Sequence, residues 1–193
     1  YLWSNGSTNQ SITGLLSGNY NCTITDANGC TINSGNIFIN QPSALNATIQ
    51  QTPVSCFGGN NGTANVIIGG GTPSYSYLWS NGSTNQSITG LTSDNYLCTI
   101  TDANGCILPS VSVTVNEPSI LSYYTSTNIV SCKDGSDGSA SIFPVGGTAP
   151  YNYVWGSGST NQTITNLSAG NYTCTIIDAN GCTLQAVASV SQP

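Results

Sequence analysis

The stretch SAGNYTCTIIDANGC (Ser168–Cys182) places a strand, a turn and two cysteines in succession. Tyr172, Cys174 and Ile176 alternate with Thr173, Thr175 and Ile177, the period-two pattern of a strand with one face turned inward. Asp-Ala-Asn-Gly follows, and Asn-Gly accepts the positive φ of a tight hairpin turn. The same text returns upstream as NYLCTITDANGC (Asn95–Cys106) and NYNCTITDANGC (Asn19–Cys30). Trp3, Trp79 and Trp155 keep that spacing of 76 residues, and YLWSNGSTNQSITGL occurs at both Tyr1 and Tyr77. One unit is copied head to tail, which adds length and multivalency rather than a single pocket.

The copies end alike at INQP (Ile39–Pro42), VNEP (Val115–Pro118) and VSQP (Val190–Pro193). They divide the chain into the C-terminal part of a repeat (residues 1–42) and two complete repeats (43–118 and 119–193). The first part lacks the strands that open the others, so either the chain is a window on a longer array or another chain supplies them; an uncovered edge would aggregate. No leader is present, which places any signal peptide outside the window.

Composition narrows the class. Charged residues are 4% and the net charge is −6, with Lys133 the one basic side chain. Nucleic acid is thereby excluded as a partner, since phosphates need Lys and Arg. No apolar run approaches the ~20 residues of a membrane span. Eight cysteines without any histidine favour cystines over a zinc site, and cystines belong to secreted or surface proteins.

Within one full unit, runs rich in Val, Ile, Thr and Tyr alternate with Gly, Asn, Asp and Pro clusters. The pattern predicts strands at Leu45–Gln50, Thr63–Ile68, Tyr75–Trp79, Gln86–Thr89, Tyr96–Thr101 and Val111–Val115. An all-β, two-sheet sandwich is expected, stabilised by disulfides because a core of about 76 residues is marginal. A Tyr two residues before a Cys, as in Tyr20, Tyr96 and Tyr172, resembles the tyrosine corner of immunoglobulin-like domains. These three tyrosines and Trp3, Trp79 and Trp155 are the expected core aromatics, with Trp79 and Trp155 on a central strand.

VSCFGGNNGTANV (Val54–Val66), VSCKDGSDGSASI (Val130–Ile142), GGTAPYNYVW (Gly146–Trp155) and the thrice-used DANGC resemble the SprB-type repeats of gliding-motility adhesins. That resemblance implies a very large surface protein of Bacteroidota, exported by the type IX pathway and presented as an adhesive or filamentous array. It also implies two cysteines per repeat, whereas this chain adds a third at Cys22, Cys98 and Cys174. In an immunoglobulin-like topology Cys56 lies near the start of the Tyr96 strand, so reach favours Cys56 with Cys98 and Cys132 with Cys174. Cys30, Cys106 and Cys182 would then face a neighbouring unit or chain. The resemblance argues for another scheme, VSC cysteine with NGC cysteine, within a unit or between successive units. Either way three cysteines per full unit is odd, so some bridge crosses a unit or chain boundary.

No catalytic residues and no cofactor are expected, because acid/base work needs two acids in one cleft and Asp26, Asp102 and Asp178 are copies of one hairpin position. Asp134 and Asp137 are weak calcium candidates, set against a plain turn because the equivalent GGNNG has no carboxylate. Sequons such as Asn46, Asn166 and Asn171 are what a chain rich in Asn, Ser and Thr produces by chance. Two functions compete: a self-associating stalk or filament segment, and a multivalent adhesin whose Tyr123, Tyr124 or Gly69–Tyr75 loop touches carbohydrate or a surface.

Overall fold

A computed structural model describes residues 1–193, and every regular element in it is a strand. The first part carries β1 (Leu2–Trp3), β2 (Gly18–Tyr20), β3 (Cys22–Thr25), β4 (Thr31–Asn33) and β5 (Ile37–Ile39). Next come β6 (Asn46–Thr52), β7 (Gly62–Gly69), β8 (Ser76–Trp79), β9 (Ser87–Leu91), β10 (Asp94–Thr101) and β11 (Ile107–Val115). The last six are β12 (Ser122–Asn128), β13 (Gly138–Val145), β14 (Asn152–Trp155), β15 (Thr163–Leu167), β16 (Gly170–Ile177) and β17 (Thr183–Val190). Strand order is β6-β7-β9 against β11-β10-β8, then β12-β13-β15 against β14-β16-β17, all antiparallel. Each set of two three-stranded sheets encloses its own core, one around Trp79 and one around Trp155.

Alternation does the sorting. Tyr96, Cys98 and Ile100 on β10 are buried, as are Ala64 and Val66 on β7, while Leu97 between them is 40% exposed. β11 begins four residues earlier than its Val111–Val115 pattern and includes Pro109. It can do so because it is an edge strand, where a missing N–H is tolerated, and because the pairing shifts register between Cys98 and Ile100 beside Ser110 at φ +45°.

Trp79 and Trp155 sit on edge strands, not central ones as the sequence suggested. The sheets have only three strands, and β10 and β16 take the middle, so the indoles are covered by the facing sheet instead. Both are 2% exposed, and each Nε1–H donates to a carbonyl six residues on, Asn85 at 2.8 Å and Asn161 at 2.7 Å. The tyrosine hydroxyls donate back to carbonyls four residues upstream: Tyr20 to Leu16 (3.1 Å), Tyr96 to Thr92 (3.2 Å) and Tyr172 to Ser168 (2.8 Å). Tyr172→Phe is expected to cost about 1 kcal/mol, one hydrogen bond with the ring kept. A urea midpoint equal to wild type would contradict that role.

In residues 1–42 the sheets are β1-β3-β4 and β2-β5. Ile12, Leu15 and Ile39 are only half-buried, while their counterparts Ile88, Leu91 and Val115 are buried. The difference follows from geometry: nothing in residues 1–42 corresponds to β6 and β7.

Candidate functional site

Asp178 organises the tip of the last hairpin. Its Oδ1 accepts from the N–H groups of Asn180 (2.9 Å) and Cys182 (2.8 Å), and its Oδ2 accepts from Thr148 N–H (2.9 Å). The side chain is 2% exposed, a buried carboxylate tolerated because three backbone donors face it. Gly147 lets the Thr148 backbone come so close: φ is +58°, and a Cβ there would lie 2.8 Å from Asp178 Oδ2.

Asp102 repeats the arrangement with Asn104, Cys106 and Thr72. The Thr72 N–H, ahead of the other donors, holds its carboxyl below the usual carboxylate range. A depressed carboxyl contributes stability that is present above its unfolded value and lost as pH falls through the folded one. Residues 43–118 are therefore expected to lose thermal stability below about pH 4, and Asp102→Asn to flatten that dependence. Parallel melting profiles of wild type and D102N would contradict it. Asp26 keeps only the Asn28 and Cys30 bonds and is exposed.

The Asp178 tip meets the loop that follows β6. Cys182 is bonded to Cys56, with Cα atoms 5.7 Å apart, and Asn180 Nδ2 donates to Ser55 O (2.9 Å) and Thr148 Oγ1 (3.0 Å). The receiving loop is itself fixed. Val54 is buried and its N–H donates to Asn116 O (2.8 Å); Ser55 N–H donates to Asn61 Oδ1 (2.9 Å); Gly58 N–H donates to Glu117 Oε2 (2.6 Å). Phe57, Pro118, Ile120, Leu121 and Leu184 line a groove of about 520 Å³ beside the bridge. The arrangement is a covalent staple between the second and third segments, backed by a polar contact.

The cysteine pairing expected from reach is thus corrected. Cys98 and Cys174 are free and buried, at mid-sheet positions opposite Trp79 and Trp155, and neither bonds to Cys56 or Cys132. Cys56 lies instead in an end loop, within reach of the neighbouring hairpin. Burial pushes the Cys98 and Cys174 thiols up, against a smaller lowering by backbone hydrogen bonds, so they stay protonated and unreactive. Cys22 is also buried and free, while Cys30, Cys106 and Cys132 are free and exposed.

Asp137 accepts from the hydroxyl of Ser131 and, at 3.0 Å, from its N–H, and the hydroxyl ahead of the N–H lowers its carboxyl below the usual range. Asn61 occupies the same place toward Ser55, so the acid serves a turn. Asp134 stands at φ +59° with its N–H on Gln192 Oε1, and no group of three or more His, Cys, Asp or Glu side chains assembles. Tyr123 is half-buried, its hydroxyl accepting from Val187 N–H, whereas Tyr124 is 60% exposed and stacks on Phe143 at 4.9 Å. The Gly69–Tyr75 loop is engaged inward, through Thr72 on Asp102 and Tyr75 on Gly70 O. Two features were missed in the sequence, the Asp hub and the Asn180 contact; the recurrence of GGT together with DANGC was their one available signal.

Residues 48–84 and 124–160 match the model of the SprB repeat. Two segments of the chain are similar to the SprB repeat. Each match contains a VSC loop and a core Trp and stops short of the DANGC hairpin. No curated protein matches the sequence. Among solved structures, the three N-terminal domains of the bacteriophage RB49 outer capsid protein Hoc share 16% identity over 77% of this chain and 59% of theirs, with a TM-score of 0.53. A C-terminal intimin fragment, solved with the intimin-binding domain of its receptor, shares 14% over 79% of this chain and 64% of its own, at 0.39. The N-terminal eight Ig domains of DSCAM share 15% over 92% of this chain and 28% of theirs, at 0.40. The chain thus spans less than two thirds of each, and the likeness to Hoc is one of fold. The chain combines an immunoglobulin-like sandwich fold with one cystine and two segments similar to the SprB repeat.

Proposed function

We propose that this chain is a structural segment of an extracellular filament or stalk, non-catalytic, whose contacts are with further copies of itself. The Cys56–Cys182 bridge carries the proposal. It joins the end loop of one sandwich to the hairpin of the next, a head-to-tail contact of the kind that extends rather than closes. Nearly uncharged, hydroxyl- and amide-rich surfaces suit a long-lived exposed array, and sequons leave room for glycans. Negative-stain images of the native protein are expected to show rods or fibres. A monodisperse monomer at assembly concentrations would overturn the proposal.

One observation favours the second reading, a multivalent adhesin acting in attachment or gliding. The Tyr124–Phe143 pair offers an exposed aromatic face of the sort on which sugar rings stack. Tyr124→Ala would then abolish binding to a glycan array while leaving fibres intact.

A further inference from the structure

Cys132 stands in the third segment where Cys56 stands in the second, and its surroundings are the same. Val130 is buried like Val54, with its N–H on Ser191 O (2.9 Å) as Val54 N–H is on Asn116 O. Gly135 N–H closes onto Cys132 O (3.0 Å) as Gly59 N–H closes onto Cys56 O (2.9 Å). Asp137 and Asn61 brace the two loops alike. Cys30 and Cys106 occupy the place of Cys182, on hairpins whose Asp accepts from the cysteine's own N–H at the same 2.8 Å. The counterparts of all three are joined to one another, Cys56 to Cys182, whereas these three are free and exposed. That bonded pair, in the same molecule and the same setting, is what separates Cys132 from a solitary surface thiol.

We infer that Cys132 is the joining residue between copies of this chain, forming a disulfide with Cys30 or Cys106 of a second copy. This rests on the stalk proposal above and specifies its bond. Pairing of Cys132 with Cys106 inside one copy is blocked by position. Cys132 lies at the exit end of the third segment, in a loop tied through Val130 N–H to Ser191 O, while the Cys106 hairpin lies at the entry end of the second, tied through Thr72 to the Gly71 turn that bonds Ser43 O. Two sandwiches separate them. A bond from an exit end to an entry end is heterologous, so it propagates instead of closing a two-fold dimer. The chemistry requires a disulfide oxidant, for which oxidised glutathione serves. The Cys132 thiolate attacks one of its sulfurs and releases one glutathione; the partner thiolate then attacks the Cys132 sulfur and expels the second. Two protein thiols are oxidised, one small disulfide is reduced to two thiols, and the two protons given up by the protein end on the two glutathione sulfurs.

The test incubates the purified chain in a glutathione redox buffer and reads non-reducing gels with mass-spectrometric mapping of linked peptides. Covalent dimers and longer ladders are expected, with the Cys132 peptide joined to that of Cys30 or Cys106. Cys132→Ser should reduce them at least tenfold while its Cys56–Cys182 link and melting curve stay as in wild type, and the double variant C30S/C106S should match it. No ladder, a Cys132–Cys132 link, or an undiminished ladder in C132S would overturn the inference. Imaging the same samples separates the two proposals: fibres in reductant without any ladder under oxidation remove the staple and leave the stalk, whereas a correctly linked ladder without fibres keeps the staple and removes the stalk.

Discussion

Trp155→Ala is expected to unfold residues 119–193 under conditions where residues 43–118 remain folded. The indole is 2% exposed at the centre of an eleven-residue core and its Nε1–H is already paired with Asn161 O. Truncating a buried Trp costs about 3–5 kcal/mol, which is comparable to the whole stability of a domain this small. The Trp79 core shares no residue with it, so the damage should stay local. Denaturant unfolding of the variant should split into an early and a late transition, with Trp79 fluorescence reporting only the late one. A single unshifted transition would mean that Trp155 is not a core residue.

Cys182→Ser carries the second large effect. The bridge spans 126 residues of sequence, and for a loop of roughly that size the chain-entropy model gives about 4–5 kcal/mol, with 2–4 kcal/mol typical in practice. The loss should appear as lowered melting of both segments and as a broader distribution of inter-segment angles in small-angle scattering. The hydrogen bond from Asn180 to Ser55 remains across the joint, an exposed one worth about 1 kcal/mol. Scattering and melting identical to the oxidised wild type would show that the staple does not hold the two segments in line.

Much of this architecture is written locally. Tyr96, Cys98 and Ile100 declare a half-buried strand by alternation, and Asn-Gly at Asn104–Gly105 and Asn180–Gly181 marks hairpins whose glycines take φ +80° and +82°. The tyrosine corner depends on a hydroxyl reaching back four residues, which a short motif can encode. The joint does not have that property. Cys56 and Cys182 lie in different segments, and their pairing depends on which loop faces which hairpin across a boundary, a relation that no period along one chain encodes. The role of Asp178 was hidden for a similar reason. Two of its three bonds are within the turn, but the third goes to Thr148, thirty residues upstream, so it reads as a turn residue until the glycine pair is seen beside it. The position of Trp79 on an edge strand followed from which strands pair within each three-stranded sheet, a relation that alternation along one strand does not encode.

Pulling one molecule by its two ends, before and after reductant, tests most directly whether the segments are stapled across their boundary. With Cys56 bonded to Cys182, the loop of 126 residues is shielded from force, and reduction is expected to release about 430 Å of additional contour length in total, at roughly 3.4 Å per residue. Two releases of about 140 Å each, the lengths of loops closed by Cys56 with Cys98 and Cys132 with Cys174, or no change on reduction, would contradict it.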